Sequence, residues 1–252
     1  MSELPDNLAP TRRFSARAGH YARYRPSYPA SLIDFLVTEL GLVAGSVVAD
    51  IGSGTGILSR LLLERSLPVM AVEPNREMRE EAEKSLSPGF PNFHSVNGTA
   101  EATTLADASV DAVLAAQAFH WFDHQKAIRE FGRIARPGAT LALIWNVRRN
   151  ASAFMAEYER IVRQFGPEVE FQFEKLGELF GPALRQHSFD NAQELDWEGL
   201  RGRLLSASYM PMEGSADFEP MMVALREAFD RHQKAGRVRL DYDTRAYFAR
   251  LS

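Results

Sequence analysis

Cysteine is absent from the 252 residues, which removes disulfides, thiolate nucleophiles and cysteine-ligated zinc from consideration. Such a chain suits a reducing cytoplasm, and we expect it there. Long apolar runs are missing too. No stretch approaches the ~18 consecutive apolar residues of a membrane span, and Met1-Ser2-Glu3-Leu4-Pro5-Asp6 has neither the basic start nor the apolar segment of a secretory leader. A soluble, unexported protein with no membrane partner is expected. A basic excess is also lacking: the net charge of -4 leaves no electrostatic footprint for nucleic acid. Repeats, low-complexity tracts and long linkers are absent as well.

What is present is an ordinary globular composition, 45% hydrophobic and 25% charged. Residues 1–28 carry Arg12, Arg13, Arg17, Arg23 and Arg25 interleaved with Phe14, Tyr21, Tyr24 and Tyr28, with little apolar periodicity, and form an arm in this reading. From Pro29, the apolar residues Leu32, Ile33, Leu36, Val37 and Leu40 recur at helical spacing up to Gly41. Val47 to Ile51 is a short apolar strand, followed by a glycine loop and a helix bearing Ile57, Leu58, Leu61 and Leu62. Strand, helix and strand then alternate. Val69 to Val72, Phe93 to Val96, Asp111 to Ala116 and Thr140 to Asn146 are strands, with helices at Arg76–Leu86 and about Gln125–Ala135 and a turn at Arg136-Pro137-Gly138. This alternation implies an α/β fold with a parallel sheet. The best boundary follows Asn146, giving an arm (1–28), a core (29–146) and a C-terminal part (147–252). In the last part, helices are expected near Ala153–Phe165 and Phe218–Ala235, with β-prone segments at His187–Phe189 and Arg245–Leu251.

The glycine loop carries the chemistry. A loop that follows the first strand of such a sheet and opens a helix brings backbone N–H groups to the crevice where doubly wound folds bind ligands. In the dinucleotide fingerprint G-x-G-x-x-G the third glycine falls where this chain has Ile57; the spacing here is Gly52-x-Gly54-x-Gly56, preceded by Asp50. Glu73, at the end of the second strand, lies 73 − 54 = 19 residues past Gly54, close to the ~20 expected of a carboxylate that takes both hydroxyls of a ribose. Singly, the glycines are a tight turn and Glu73 a solvated strand end. Together in a βαβ unit they indicate a nucleoside with an unphosphorylated ribose.

At these residues the chain resembles a known family. Val48 to Gly56 is similar to the first signature of the class I S-adenosylmethionine-dependent methyltransferases, and Val72-Glu73-Pro74-Asn75-Arg76-Glu77-Met78 to the second. The likeness continues through Gly98-Thr99-Ala100-Glu101, Ala108 to Asp111 and Arg136 to Ala139, covering about residues 14 to 146. The arm segment Tyr21 to Pro29, with Gln117-Ala118-Phe119-His120-Trp121-Phe122, further resembles the trans-aconitate methyltransferase-like branch, which acts on small molecules. The resemblance implies a Rossmann-like, seven-stranded, mostly parallel sheet with a reversed last strand and helices on both faces. It implies S-adenosyl-L-methionine as cofactor. Asp50, Gly52, Gly54 and Gly56 would meet its methionine end, with Tyr21 and Arg25 closing over the carboxylate. Glu73 would hold the ribose, Met78 would pack near the adenine with Ala100 and its neighbours pairing to the base edge, and Pro74 and Gln117 would also belong to the cofactor site. Many relatives carry Asp where this chain has Thr99, and Glu101 stands nearby to take over that contact.

Methyl transfer from a sulfonium needs alignment and dryness more than a nucleophilic side chain. A base helps only a neutral acceptor; a carboxylate arrives ionised. His120, just past the fourth strand, is the catalytic candidate, as base or hydrogen-bond donor, with packing among Phe119, Trp121 and Phe122 as the plainer alternative. Trp121, Trp145, Asn146 and Arg148 are candidate substrate contacts, and Arg25 or Arg148 could grip a carboxylate through two nitrogens. His120 and His124 have zinc-like spacing but lack the glutamate of H-E-x-x-H, so no metal is expected. Glu168 and Glu170 follow Gly166-Pro167 in a surface turn and suggest no paired-carboxylate mechanism. The favoured reading is methyl transfer to a small organic acceptor, with a carboxylic acid as one candidate. A non-catalytic S-adenosylmethionine-binding module and, more remotely, a nicotinamide-dependent reductase are the alternatives.

Overall fold

The computed structural model describes residues 23–167, 173–207 and 209–251. Tyr21, Arg12, Arg13, Arg17, Glu168 and Glu170 lie outside them. In chain order the elements are α1 (Ala30–Glu39), β1 (Val48–Ile51), α2 (Ile57–Leu63), β2 (Val69–Val72), α3 (Arg76–Leu86), β3 (Phe93–Val96), β4 (Val110–Ala116), a 3₁₀ turn (Phe119–Trp121), α4 (His124–Ile134) and β5 (Ala135–Arg148). There follow α5 (Ala153–Phe165), α6 (Glu174–Phe180), a second 3₁₀ turn (Gly181–Ala183), β6 (Arg185–Leu195), α7 (Trp197–Leu205), α8 (Phe218–His232) and β7 (Val238–Arg250).

The strands form one sheet of order β3-β2-β1-β4-β5-β7-β6. Neighbours from β3 through β5 pair in parallel, while β7 runs antiparallel to both β5 and β6. This is the mostly parallel, seven-stranded arrangement with a reversed last strand, and the two C-terminal β-prone segments lie in β6 and β7. Central β1 is buried at every residue, as expected of a strand covered on both faces. β6, on the edge, is largely exposed and rich in polar side chains, which blunts pairing with other chains.

Three apolar clusters divide the work. One packs α1, α2 and α3 on one face of the sheet, and a second packs α4 and α6 on the other. The third joins α5, α7 and α8 to Val238, Leu240 and Tyr242 at the start of β7. Because β7 is antiparallel, its start lies beside Arg148, at the carboxyl end of β5. The third cluster therefore forms a cap at the edge of the sheet where β4 and β5 end.

Two local expectations change. The Arg136-Pro137-Gly138 turn belongs to β5, which begins at Ala135 and bulges there: Val110 pairs with Ala135 but Ala112 already pairs with Thr140. Gly138, at φ +83°, takes the bend. The boundary after Asn146 falls inside β5, which runs on to Arg148.

Glu130, on α4, fixes the turn that enters the site. Its carboxylate accepts from the Thr103 amide and hydroxyl and pairs with Arg133, and these partners hold its pKa down to about 2. The Arg133 hydrogen bond is the leading cause, opposed by burial. A carboxylate whose folded pKa is depressed stabilises above its unfolded pKa and loses that contribution as the pH falls through the folded value. We expect Glu130→Gln to lower stability at pH 7 by about 2 kcal/mol in urea denaturation. The gap to wild type should narrow as the pH falls from about 4.5 towards 2.

Candidate functional site

The site is built where β1 and β2 end. After Ile51 the chain turns sharply: Gly52 and Ser53 both donate to Val72 O, at 2.8 and 3.2 Å, which ties the loop to β2. Gly52, at φ +68°, lies so close to the segment after β4 that a Cβ would meet the Ala118 Cβ at 2.7 Å. At Gly56, φ +81°, a Cβ would meet Leu86 of α3 at 2.6 Å. Side chains are excluded at both positions by the left-handed backbone and by packing.

Two carboxylates are buried under this loop. Asp50, 1% exposed, accepts from the Ser59 hydroxyl at 2.6 Å through Oδ2, while its buried Oδ1 has no hydrogen-bond partner among the described residues. Burial raises its pKa to about 6; the Ser59 bond opposes that rise and the nearby Glu73 charge adds to it. Glu73 is 8% exposed. Its Oε2 accepts from Gly54 N and its Oε1 from Asn75 N, each at 2.9 Å. Burial raises this carboxyl too, against the two amide hydrogen bonds and Arg79. Asn75 then caps α3 through Met78 N, and Arg79 binds the carbonyls of Glu73 and Pro74. Glu73 thus joins the loop, the end of β2 and the start of α3.

A crevice beside the loop is lined by Asp50, Gly52, Ser53, Ile57, Leu58, Ala116 and Tyr28. Tyr28, Ser53 and Ala116 were not among the expected site residues. Tyr28 sits at the entry to α1, in a segment whose aromatic spacing gave no hint that it folds back over the sheet. Thr99 is exposed and Ala100 buried, in a tight turn closed by Thr99 N to Ala102 O at 3.1 Å. Glu101 accepts from Asp123 N at 2.8 Å, so its carboxylate steadies the start of α4.

Past β4, Gln117 adopts φ +56°, a left-handed conformation uncommon outside glycine. Its amide donates to Ile144 O and its side chain to Asn146 O. Asn146 is a hub: Oδ1 accepts from Thr244 and Asn191, and Nδ2 donates to Ser27 O. Together with Gln193 to Tyr24 O and Arg25 to Ser206 O at 3.0 Å, it lays residues 24–28 across β5, β6 and α7. Arg148 has its fork on Glu159 of α5, at 2.7 and 3.3 Å, so the carboxylate meeting it is the chain's own. Trp121 is 38% exposed, whereas Trp145 is buried edge-on against Phe173 and Tyr247.

His120 lies in the 3₁₀ turn. The Trp145 indole N–H, which can only donate, points to its Nδ1 at 3.4 Å. Burial lowers the His120 pKa to about 4, with added repulsion from Arg25 and His124. The imidazole is therefore neutral at pH 7 and carries its proton on Nε2. His124 stacks on Phe119, and among the described residues no group of three or more potential metal ligands is found.

Residues 49–143 match the family model described as a methyltransferase domain. The chain is 42% identical over 196 residues to an uncharacterized methyltransferase of Mycobacterium tuberculosis, covering 78% of this chain and 76% of that one. An uncharacterized methyltransferase of Schizosaccharomyces pombe is 29% identical over 245 residues, 94% of this chain and 96% of its own. Among solved structures, a candidate type II methyltransferase from Anaeromyxobacter dehalogenans superposes with a TM-score of 0.63 at 25% identity, over 90% of this chain and 98% of that one.

Nitrogen-detected NMR of the histidine rings should find His120 as the neutral Nε2–H tautomer down to about pH 5, titrating near 4. A midpoint near 6.5 would contradict the burial that sets it, and an Nδ1–H tautomer would contradict the Trp145 contact.

Proposed function

We propose a function from one premise: the chain belongs to the class I S-adenosylmethionine-dependent methyltransferases. The protein is an enzyme, and its methyl donor is S-adenosylmethionine. We propose further that its acceptor is a small organic molecule that presents a carboxylate.

The residues at the loop fit the cofactor. The partnerless buried Oδ1 of Asp50 is an acceptor awaiting a donor, as the ammonium of a methionine moiety would provide. The loop glycines leave the room that side chains would fill. Glu73 would hold the ribose hydroxyls through the lone pairs that Gly54 and Asn75 leave open, since an ionised carboxylate offers about four acceptor sites. Met78, Thr99 and Ala100 would line the base, and Arg25 would close over the cofactor's carboxylate. When bound, S-adenosylmethionine supplies a methyl group already activated as a sulfonium. What falls to the chain is alignment and exclusion of water, for which the cap of α5, α7 and α8 and the strap of residues 24–28 are placed.

The reading of the acceptor is carried by the Trp145 contact to His120. With Nδ1 accepting from the indole, the Nε2–H is a donor, and His120 orients the acceptor instead of deprotonating it. An acceptor that needs no base is one that arrives ionised, and a carboxylate does so at neutral pH. Trp121 would form an outer wall of the acceptor site.

Calorimetric titration tests the premise and the roles together. S-Adenosylmethionine and S-adenosylhomocysteine should both bind and NADH should not. Glu73→Ala should weaken S-adenosylhomocysteine at least tenfold, the loss expected when charge-assisted hydrogen bonds to a ligand are removed. Failure of both sulfur nucleosides to bind at millimolar concentration would remove the reading.

A further inference from the structure

The cap buries a guanidinium at the end of α7. Arg203, in the last turn of α7, is 5% exposed. Its Nε donates to the Tyr242 hydroxyl at 3.1 Å, which donates onward to Gln193 Oε1 at 3.1 Å. Among the described residues no carboxylate pairs with it; its charged and titratable neighbours are Arg148 and the phenols Tyr158, Tyr209 and Tyr242. The phenols bring no compensating charge from Tyr158, whose hydroxyl burial pushes up to about 12. Arg148 is already matched by Glu159. A buried cation without a counter-ion is strongly unfavourable, and those that proteins keep are paired or meet a ligand.

The neighbours show where this charge points. At Tyr209, burial opposes ionisation, yet Arg148, Arg203 and Arg25 together outweigh it and lower the pKa. Arg25 in turn is close enough to His120 to disfavour its protonation, and it donates to Ser206 O, one turn beyond Arg203. The Ser206 hydroxyl caps Arg203 O at 2.7 Å and fixes that turn. Two guanidiniums, Arg25 near His120 and Arg203 under the cap, therefore make one wall at this end of α7 positive. Gly202 lets the Tyr24 ring lie directly on α7, where a Cβ would meet it at 2.4 Å, and closes this wall from the strap side.

We propose that Arg203 binds the carboxylate of the acceptor and makes the enzyme select anionic over neutral acceptors. The proposal rests on the methyl-transfer reading of the same site. The planar fork accepts two oxygens of an oxyanion, and a carboxylate is favoured over a phosphate because the carbonyl end of α7 repels a dianion more than a single charge.

The experiment uses the full chain saturated with S-adenosylhomocysteine, titrated calorimetrically with succinate and benzoate, and with succinamide and benzamide as neutral controls. Wild type should bind at least one acid and neither amide. Arg203→Met should weaken the acid by more than about thirtyfold and Arg203→Lys by about tenfold, with the affinity for S-adenosylhomocysteine unchanged. Without ligand, Arg203→Met should melt no lower than wild type, because an isolated buried charge has been removed. A purely structural arginine would instead lower the melting temperature and leave acid affinity alone. If Arg203→Met does not fold, Arg203→Lys carries the comparison. Equal acid binding by either variant, equal binding of amides, or no acid binding up to about 50 mM by protein that holds S-adenosylhomocysteine would overturn the role of Arg203 and leave the methyl-transfer reading standing. Absence of S-adenosylhomocysteine binding by wild type would overturn both.

Discussion

Two carboxylates buried side by side at the ends of β1 and β2 set the terms for everything around them. Burying like charges under a loop is unfavourable, and the raised pKa of Asp50 registers both the loss of water and the presence of Glu73. The fold tolerates the pair by giving Glu73 two backbone amides and Asp50 one hydroxyl. Among the described residues, one oxygen of Asp50 has no hydrogen-bond partner. A folded state with a vacant, buried acceptor is one in which a cationic ligand repairs a deficit, and the glycines that shape the loop give such a ligand access to the backbone.

The carboxyl edge of the sheet then gathers the remaining parts. Asn146 draws in the strap through Ser27 and binds Thr244 of β7 and Asn191 of β6, so one amide holds the final strands and residues 24–28 in register. Its neighbour Trp145 orients His120. Side chains expected to touch an acceptor are thus divided between walls and supports. Asn146 and Arg148 are bonded to groups of the chain itself, while Trp121 is exposed.

The sheet was legible because its strands are short apolar runs separated by helices of clear period, and the loop was legible because glycine spacing is a direct record of backbone conformation. Of the capping helices, α5 and α8 were legible from their apolar period, and α7 was not. α7 carries Gly199 and Gly202, which depress helix propensity and break its apolar period; burial of Leu200 and Leu204 in the cap holds it, and Gly202 leaves room for the Tyr24 ring. α6 is seven residues long, too short for a period to show. Arg203 was invisible for a related reason: an arginine in a helix reads as a solvated residue until the fold shows α5, α8 and β7 closing over it. Arg148 reads as a free cation until Glu159 appears opposite it, since pairing across elements leaves no trace in local sequence. Glu73 was located by spacing, but its bonds to Gly54 and Asn75 follow from the turn itself.

The central claim is that Asp50 and Glu73 form a site completed by a nucleoside that carries a free ammonium group. Carbon-detected NMR of the Asp50 carboxyl, titrated with and without S-adenosylhomocysteine, addresses it directly. The account predicts a midpoint near 6 in the free protein, falling well below that when the ligand's ammonium meets Oδ1. A midpoint that saturating ligand leaves in place would contradict it.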